Sequence, residues 1–363
     1  MSFFEITRNW YGRFERPISS LSLIAGFVFD ALTLKRVDTL WENCWIIAHL
    51  IIVGVFIALI HLKKNEVGDE KNPSKAHFWF VNILQFFFGG LLSTFLVFYF
   101  RSADIFVTWP FILLLALAFI ANESLKRHYI RFSFQISLFF LSVYSFSIFL
   151  LPVILHQIGP RIFLLSGLVS LIFITLFVFV IFIFIRDRFN ESKKLIFFLI
   201  LGIFLMVNFL YFTNLIPPIP LSLKDGGIYH SLIKDVDGNY DVSYEDYGWK
   251  GYFQMYPNFS EVAGAPVYAY SAVFSPTNLN ITIIHQWQYY DDAQGKWITD
   301  FTINLPVVGG RGGGFRTYSE DSNPTPGHWR VNIMTTQGQI IGRLRFNILP
   351  VFTLPSFSYA IKQ

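Results

Sequence analysis

The sequence predicts a polytopic membrane protein: about seven transmembrane helices, followed by a C-terminal all-β domain of immunoglobulin-like sandwich type. Two observations carry this. Of 363 residues, 53% are hydrophobic, 19% aromatic and only 14% charged, against about 25% charged in soluble domains. Phe alone occurs 43 times, an excess that one aqueous core cannot hide, so lipid must solvate much of the chain. The pattern then changes abruptly near residue 216, from long apolar runs to short alternating ones. The divisions expected are 1–215 for the helices, 216–225 for a proline-rich linker, 226–350 for the β-domain and 351–363 for a tail.

Crossing ~30 Å of hydrocarbon at 1.5 Å per residue takes about 20 apolar residues. Seven stretches qualify: Ile18–Leu34, Leu40–His61, Phe78–Phe100, Ile105–Ala121, Phe132–Leu155, Ile162–Ile185 and Leu195–Leu215. The first is short and carries Asp30; the fourth contains Pro110, which can kink it. The first run also lacks a small-residue cleavage site and does not read as a cleavable signal. Orientation follows from Lys and Arg in the short connections. One side receives fourteen, in the groups Arg8–Arg16, Lys63–Lys75, Lys126–Arg131 and Arg186–Lys194. The other receives four: Lys35, Arg36, Arg101 and Arg161. The fourteen-residue side is expected to be cytoplasmic, which places the N-terminus inside and the β-domain outside. The same loops account for the net charge of +4, too small to argue for nucleic acid. A single cysteine, Cys44, permits no intramolecular disulfide, so the outer domain must fold by packing alone.

The helices end at Ile216-Pro217-Pro218-Ile219-Pro220, a stiff spacer. Beyond it the period is two. Leu279, Ile281, Ile283, His285, Trp287 and Tyr289 share one strand face; Trp297, Thr299, Phe301, Ile303, Leu305 and Val307 share a face of the next, with turn residues 291–296 between. A second hairpin pairs Trp329, Val331 and Ile333 with Ile340, Leu344 and Phe346 around Gln337-Gly338, and an earlier strand is expected at Val267–Phe274. Several short alternating strands in about 130 residues suggest a sandwich. Elements within Gly226–Pro257 cannot be placed from the pattern.

A set of motifs in order is distinctive: the 216–230 stretch ending Gly226-Gly227-Ile228-Tyr229-His230, then Val267–Thr277, His285-Gln286-Trp287-Gln288-Tyr289-Tyr290, the glycine-rich Gly309–Arg316, Gly327–Val331 and Gly338–Arg343. Together they resemble the bacterial membrane proteins grouped as domain of unknown function 2914. The resemblance is strongest over Pro217–Ile348 and extends to Gly26–Leu34. It implies a bacterial inner-membrane protein with a periplasmic domain, and it supplies no reaction.

The topology gathers polar residues at the outer helix ends: Asp30, Lys35, Arg36, Asp38, Glu42, Arg101, Asp104, His156 and Arg161. Asp30 lies within an apolar run, where an ionisable group needs a partner or a task, and Lys35 or Arg36 is the natural partner. These residues would bind a lipid headgroup or polar substrate under the β-domain; the plainer alternative is interfacial snorkelling and pairing. His230, with Tyr229, follows the spacer closely and is expected at the membrane surface near His156 and Arg161, as a binding or packing contact. His285 and Trp287 read either as core, with the imidazole satisfied by backbone, or as an aromatic platform with a polar handle to which Tyr289, Tyr290 and Trp297 contribute. Trp329-Arg330 reads as a core Trp beside a surface Arg. The Gly309–Gly314 run lacks the Lys-Ser/Thr of a phosphate loop and reads as a flexible connection, with Arg311 and Arg316 able to meet an anionic glycan or headgroup. No second histidine sits at ligand spacing to suggest a metal. No catalytic signature is present, and no cofactor is called for.

Three readings follow. The first is an envelope protein whose helices orient a β-domain that binds a glycan, lipid or protein without catalysis. The second is a membrane enzyme or transporter that acts on an envelope lipid or glycan through the outer polar cluster, since seven helices exceed what an anchor needs. The third is a seven-helix receptor, ranked last because the cytoplasmic loops are short. Reporter fusions after Lys64, Arg188 and Gly251 test the orientation. Gly251 is expected to report outside and the other two inside; Gly251 reporting inside would put the β-domain in the cytoplasm and end the glycan reading.

Overall fold

The computed structural model describes residues 24–34, 36, 38–62, 75–102, 104–124, 131–184, 186–248, 254–262, 264–276, 279–309, 312–353 and 355–362. It divides into two units, residues 1–101 with 109–213, and 102–108 with 214–363.

Among the described residues, seven helices make up the first part. They are α1 (Ile24–Thr33), α2 (Leu40–Leu62), α3 (Lys75–Arg101), α4 (Ile105–Ser124), α5 (Phe132–Leu155), α6 (Pro160–Phe184) and α7 (Arg186–Phe212). Five of them, α2, α3, α5, α6 and α7, are long and apolar enough to cross a membrane; α1 and the apolar part of α4 (Ile105–Ala121) are shorter. The expectation of seven full-length crossings is corrected to that extent. Residues 18–23 lie outside the described residues, so α1 is seen only from Ile24. In α4, 17 apolar residues reach about 26 Å at 1.5 Å each.

The bundle is organised around α5, which touches α2, α3, α6 and α7. Its buried residues run almost without a break from Phe132 to Phe149, as expected of a helix with no lipid face. Serines make this close contact feasible. Ser137, Ser142 and Ser147 return their hydroxyls to the carbonyls four residues back, at 2.8–2.9 Å, so these three hydroxyls need no partner from a neighbouring helix. Opposite lies the small-residue stripe of α6, where Gly167 is essential: a Cβ there would sit 2.9 Å from Phe204 and 3.0 Å from the Tyr144 hydroxyl. The other face of α6, with Leu168, Ile172, Leu176 and Phe179, is exposed, an arrangement that suits lipid and not water.

The β-domain holds eleven strands among the described residues: β1 (Ser222–Tyr229), β2 (Ser231–Lys234), β3 (Tyr240–Tyr244), β4 (Asn258–Glu261), β5 (Val267–Phe274), β6 (Ile281–Asp291), β7 (Lys296–Val307), β8 (Phe315–Asp321), β9 (Gly327–Thr335), β10 (Ile340–Pro350) and β11 (Ser358–Lys362). They form three sheets, β1-β5-β8, β4-β10-β9-β6-β7 and β11-β3-β2. β1 begins inside the stretch expected as linker, and β11 lies in the expected tail. The third sheet, built from the region whose elements could not be placed together with that tail, is a finding the alternation did not foresee.

The middle strand, β5, explains the layering. Val267 and Ala269 enter a core with Trp287, Trp329, Val331 and Phe346 of the five-stranded sheet. Tyr270 and Ala272, on its other face, pack with Tyr229, Tyr240 and Val242 toward the third sheet. A strand buried on both faces reads as a continuous apolar run instead of an alternating one, and β5 does so. The glycine-rich loop also has a steric cause. A Cβ on Gly309 would strike the Pro276 carbonyl, and Gly314, at φ +91°, would place one 2.8 Å from the Ala272 backbone. The expectation of simple flexibility gives way to close backbone approach.

Between the two larger sheets lies a sealed polar node. His285 is 0% exposed. Its Nε2 meets Ser271 Oγ at 2.8 Å and its Nδ1 meets Ser319 Oγ at 2.8 Å. Trp287 Nε1–H donates to the same Ser319 oxygen at 2.9 Å, and Ser271 reaches Thr317 at 3.0 Å. A neutral imidazole has one donor and one acceptor, and two hydroxyls satisfy both; hydroxyls take the place of the backbone partner expected. Burial pushes the His285 pKa down to about 4. The unfolded chain, with a histidine near 6.5, therefore binds more protons between those values, and stability falls as pH drops through that window. Wild type is expected to lose about 3 kcal/mol more than His285→Gln between pH 7 and pH 4, the raised carboxyls of Glu261 and Asp321 acting equally in both. Thermal unfolding of the full chain in detergent across that range checks it; parallel pH profiles would refute it.

Candidate functional site

The outer polar cluster resolves into separate structural roles. Arg36 does not pair with Asp30. Its Nε and Nη2 form a two-pronged bond to Asp38, at 3.0 and 2.7 Å. Lys35, the other partner expected for Asp30, lies outside the described residues. The electrostatic neighbours of Asp30 are Ser93 of α3 and His49 of α2. Arg101 donates to the carbonyls of Ala31 and Leu34, placing a cation on the last turn of α1, where helix carbonyls lack partners. Glu42 is buried in the first turn of α2, the favourable end for an acid. Asp104 caps α4, accepting the Phe106 N–H at 3.1 Å. His156 ends α5 in the left-handed region, at φ 52°, and both it and Arg161 are exposed. Among the described residues their side chains take part in no hydrogen bond or ion pair. Among the described residues, the cluster is thus divided among separate local contacts. The sequence reading missed a buried α2–α5 contact, His61 Nε2 to Gln135 Oε1 at 2.9 Å; a polar pair 74 positions apart leaves no local signal.

The expected aromatic platform also divides. β6 and β7 pair from Ile281↔Val307 to Asp291↔Lys296, with a shift between Trp287 and Gln288. The extra residue is Asp300, because Trp287 faces Phe301 and Gln288 faces Thr299. A one-residue bulge moves everything beyond it to the opposite face. His285, Trp287 and Tyr289 therefore point into the core with Phe301, while Trp297 joins Tyr290 on the outer face, ring centroids 5.3 Å apart. Arg316 is buried against the third sheet, donating from Nη1 to the Lys362 carbonyl at 2.8 Å and to Asn239 Oδ1 at 3.2 Å. Arg311 lies outside the described residues.

Within the β-domain there is a cleft of about 760 Å³. Its walls are Gly226–Tyr229 of β1, Tyr244–Gly248 after β3, Gln254–Met255 and Pro257–Phe259, and Arg343–Phe346 of β10. It opens where β10 lacks a second neighbour: β4 pairs β10 only from Asn347 onward, and β1 is the edge of its own sheet. Glu245 is held rigidly at its side. Its carboxylate accepts the Ser260 N–H at 2.6 Å, the Ser260 hydroxyl at 3.2 Å and His230 Nε2 at 3.1 Å. The His230 ring is clasped between Phe259 and Phe357, centroids 4.0 and 4.3 Å away and nearly parallel. Burial holds the His230 pKa down against the opposing pull of Glu245, so the imidazole serves as a neutral donor that orients the carboxylate. Tyr244, Tyr247 and Met255 give the cleft apolar surface, and Arg343 and Arg345 give it positive charge. This mixture suits binding of a polar, partly apolar group. The Ser271–His285 contact resembles a hydrolase pair in distance, but both residues are 0% exposed and no carboxylate backs the imidazole, so no substrate reaches it.

Comparison with known proteins adds family context. No curated protein matches the chain. Among solved structures, a β-glucosidase from Listeria innocua in complex with gluconolactone matches at 8% identity and a TM-score of 0.19, over 34% of this chain and 16% of that one. An alkylpurine DNA glycosylase from Pseudomonas fluorescens, AlkC bound to DNA with an abasic-site analogue, matches at 8% identity and a TM-score of 0.21, over 87% and 99%. Scores this low carry no argument about fold or activity. Residues 280–348, from the start of β6 into β10, match the family model described as protein of unknown function (DUF2914), and over that stretch the resemblance read from the motifs holds.

Proposed function

We propose that this chain is a bacterial inner-membrane protein whose helices orient a periplasmic β-domain, and that the β-domain binds an envelope component, a glycan, lipid or protein, in the cleft between β1 and β10. The five long apolar helices support the membrane setting. Loop charge supports the orientation whether α1 and α4 both cross or both lie at the surface. Seven crossings divide the loop Lys and Arg fourteen to four. Five crossings, with α1 and α4 at the surface, move Lys35, Arg36 and Arg101 to the N-terminal side and Lys63, Lys64, Lys71 and Lys75 away from it, dividing them thirteen to five. Both numbers of crossings are odd, and both divisions favour the N-terminus inside and the β-domain outside. The two larger sheets, packed over the Trp287–Trp329 core, support an immunoglobulin-like sandwich extended by a third sheet. The observation that carries the binding reading is the cleft itself, built on open strand edges and carrying a fixed carboxylate.

The experiment uses the full chain in neutral detergent, with solubilised cell-wall glycan and a total bacterial lipid extract as probes. Met255 is 57% exposed and lines the cleft, so Met255→Trp fills the space without disturbing the core. Binding of the active probe is expected to weaken about tenfold, roughly 1.4 kcal/mol, with the melting temperature unchanged. Undiminished binding by this variant would move the site elsewhere.

A further inference from the structure

We propose that Arg330, Arg343 and Arg345 form an anion site at the mouth of this cleft and that it takes a phosphate group. The proposal deepens the cleft reading and rests on it only for location, since Arg343 and Arg345 line the cleft.

The first observation is a register that costs stability. Arg330 on β9 and Arg345 on β10 are direct cross-strand partners, and Arg343 follows two residues along the same face. Like charges placed directly opposite are destabilising. Among the described residues none of the three forms an ion pair with a carboxylate. The segment Ser102–Thr108 groups with the β-domain and supplies Asp104, the acid whose field reaches Arg343, and Phe106, whose ring lies 4.6 Å from the Arg345 guanidinium. Among the described residues, Asp104 is the carboxylate whose field is felt by Arg343, and none is felt by Arg330.

The second observation is how two of these guanidiniums are held. Arg330 Nε donates to Gln288 Oε1 at 2.7 Å, and its guanidinium lies 4.2 Å from the Trp297 ring centroid. Arg343 Nε donates to Asn332 Oδ1 at 2.6 Å. Asn332 Nδ2 donates in turn to Gln286 and Gln288, at 2.9 and 3.0 Å, and Gln288 Nε2 to Thr299 at 2.9 Å. This amide relay fixes the side chains through neutral oxygens. It orients the forks without cancelling their charge, and among the described residues it engages Nε and not the Nη groups. Burial and the neighbouring Arg343 lower the Arg330 pKa to about 10, still charged at neutral pH. Fixed, uncompensated guanidinium forks are the geometry that binds oxyanions in two-pronged fashion. Three forks exceed what the two oxygens of a carboxylate can occupy, whereas a phosphate offers enough acceptors. That phosphate could belong to a lipid headgroup or to a soluble phosphorylated molecule.

The test is thermal unfolding of the full chain in phosphatidylcholine nanodiscs, with and without inorganic phosphate at constant ionic strength, and in nanodiscs containing phosphatidylglycerol. Phosphate is expected to raise the wild-type midpoint by about 2–4 °C. A phosphate response that vanishes once phosphatidylglycerol is present identifies a headgroup; one that persists identifies a soluble ligand. Arg345→Gln should melt higher than wild type without anion, because a repulsion is removed, and lose the anion response. Arg345→Lys keeps the charge without the fork and should lose most of the response. Equal responses in wild type and Arg345→Gln, or no response to either anion, overturn the site. If phosphate has no effect while Met255→Trp still blocks the glycan or lipid probe, the anion site fails and the cleft stands. If phosphate acts while Met255→Trp changes nothing, the cleft reading fails and the anion site stands.

Discussion

The β-domain depends on a single strand that has no solvent face. β5 contributes to two cores at once, Val267 and Ala269 to one and Tyr270 and Ala272 to the other. Every other layer position follows from that double burial. Sheets normally keep one wet face, and antiparallel ones show it as alternation; here the wet faces are pushed outward to the five-stranded sheet and to the third sheet. The residue of β5 that is polar and fully buried, Ser271, is the one that meets His285. A polar group at that depth is tolerated because its partners are in place, and the same hydrogen bonds fix the register of β5 and β8 against β6. The third sheet is tied on by Arg316, which reaches the Lys362 carbonyl, and by the Lys362–Asp225 ion pair at 2.8 Å.

Double burial also decides where a ligand can enter. Neither face of β5 is free, so access to it has to come at a strand edge. The described residues leave such an edge between β1 and the Arg343–Phe346 part of β10, before β4 joins at Asn347. The bulge at Asp300 matters for the same reason. By reversing the facing of Trp297 and Thr299, it removes an aromatic residue from a core already filled by Trp287, Phe301 and Trp329. It delivers that residue to the outer face beside Arg330, and Thr299 becomes the acceptor that ends the amide relay through Gln288.

What the sequence disclosed follows from the range of each interaction. The strand pair β6–β7 and the β9–β10 hairpin were legible because alternation and turn chemistry are local, and Trp329 opposite Phe346 is the pairing the pattern implies. Five long helices were legible because hydrophobic length is local too. The third sheet was not, since β2, β3 and β11 have only four or five residues each and β11 joins from more than a hundred positions away. The facing of Trp297 was hidden by one inserted residue that no composition signal marks. Proximity in sequence points Asp30 to Lys35 or Arg36, yet Arg36 meets a nearer carboxylate in Asp38. Arg101 reached the α1 carbonyls from a distant helix. The third sheet and the Arg101 contact were set at long range, whereas Asp38 and the inserted Asp300 acted within a few residues of the positions they redirected.

Charge compensation separates the two halves of the molecule. In the bundle, the described charged groups that the sequence made conspicuous are mostly answered: Arg36 by Asp38, Arg101 by helix carbonyls, Glu42 by the start of α2. Such answers are what a low-dielectric environment requires of any charge it keeps, and they make these residues parts of the scaffold. On the five-stranded sheet the opposite holds. Arg330 and Arg345 face each other across two strands, and the network beneath them stiffens their neighbours without neutralising anything. Exposure to water lowers the cost of such an arrangement but does not explain why neutral amides should hold the guanidiniums in place. Fixing a flexible side chain costs conformational entropy, and a fold gains nothing by fixing cations near one another. A ligand gains, because the cost of orienting its contacts is already met before it binds. The outer face of β9 and β10 and the cleft it borders are therefore better prepared for a ligand than the polar residues at the helix ends.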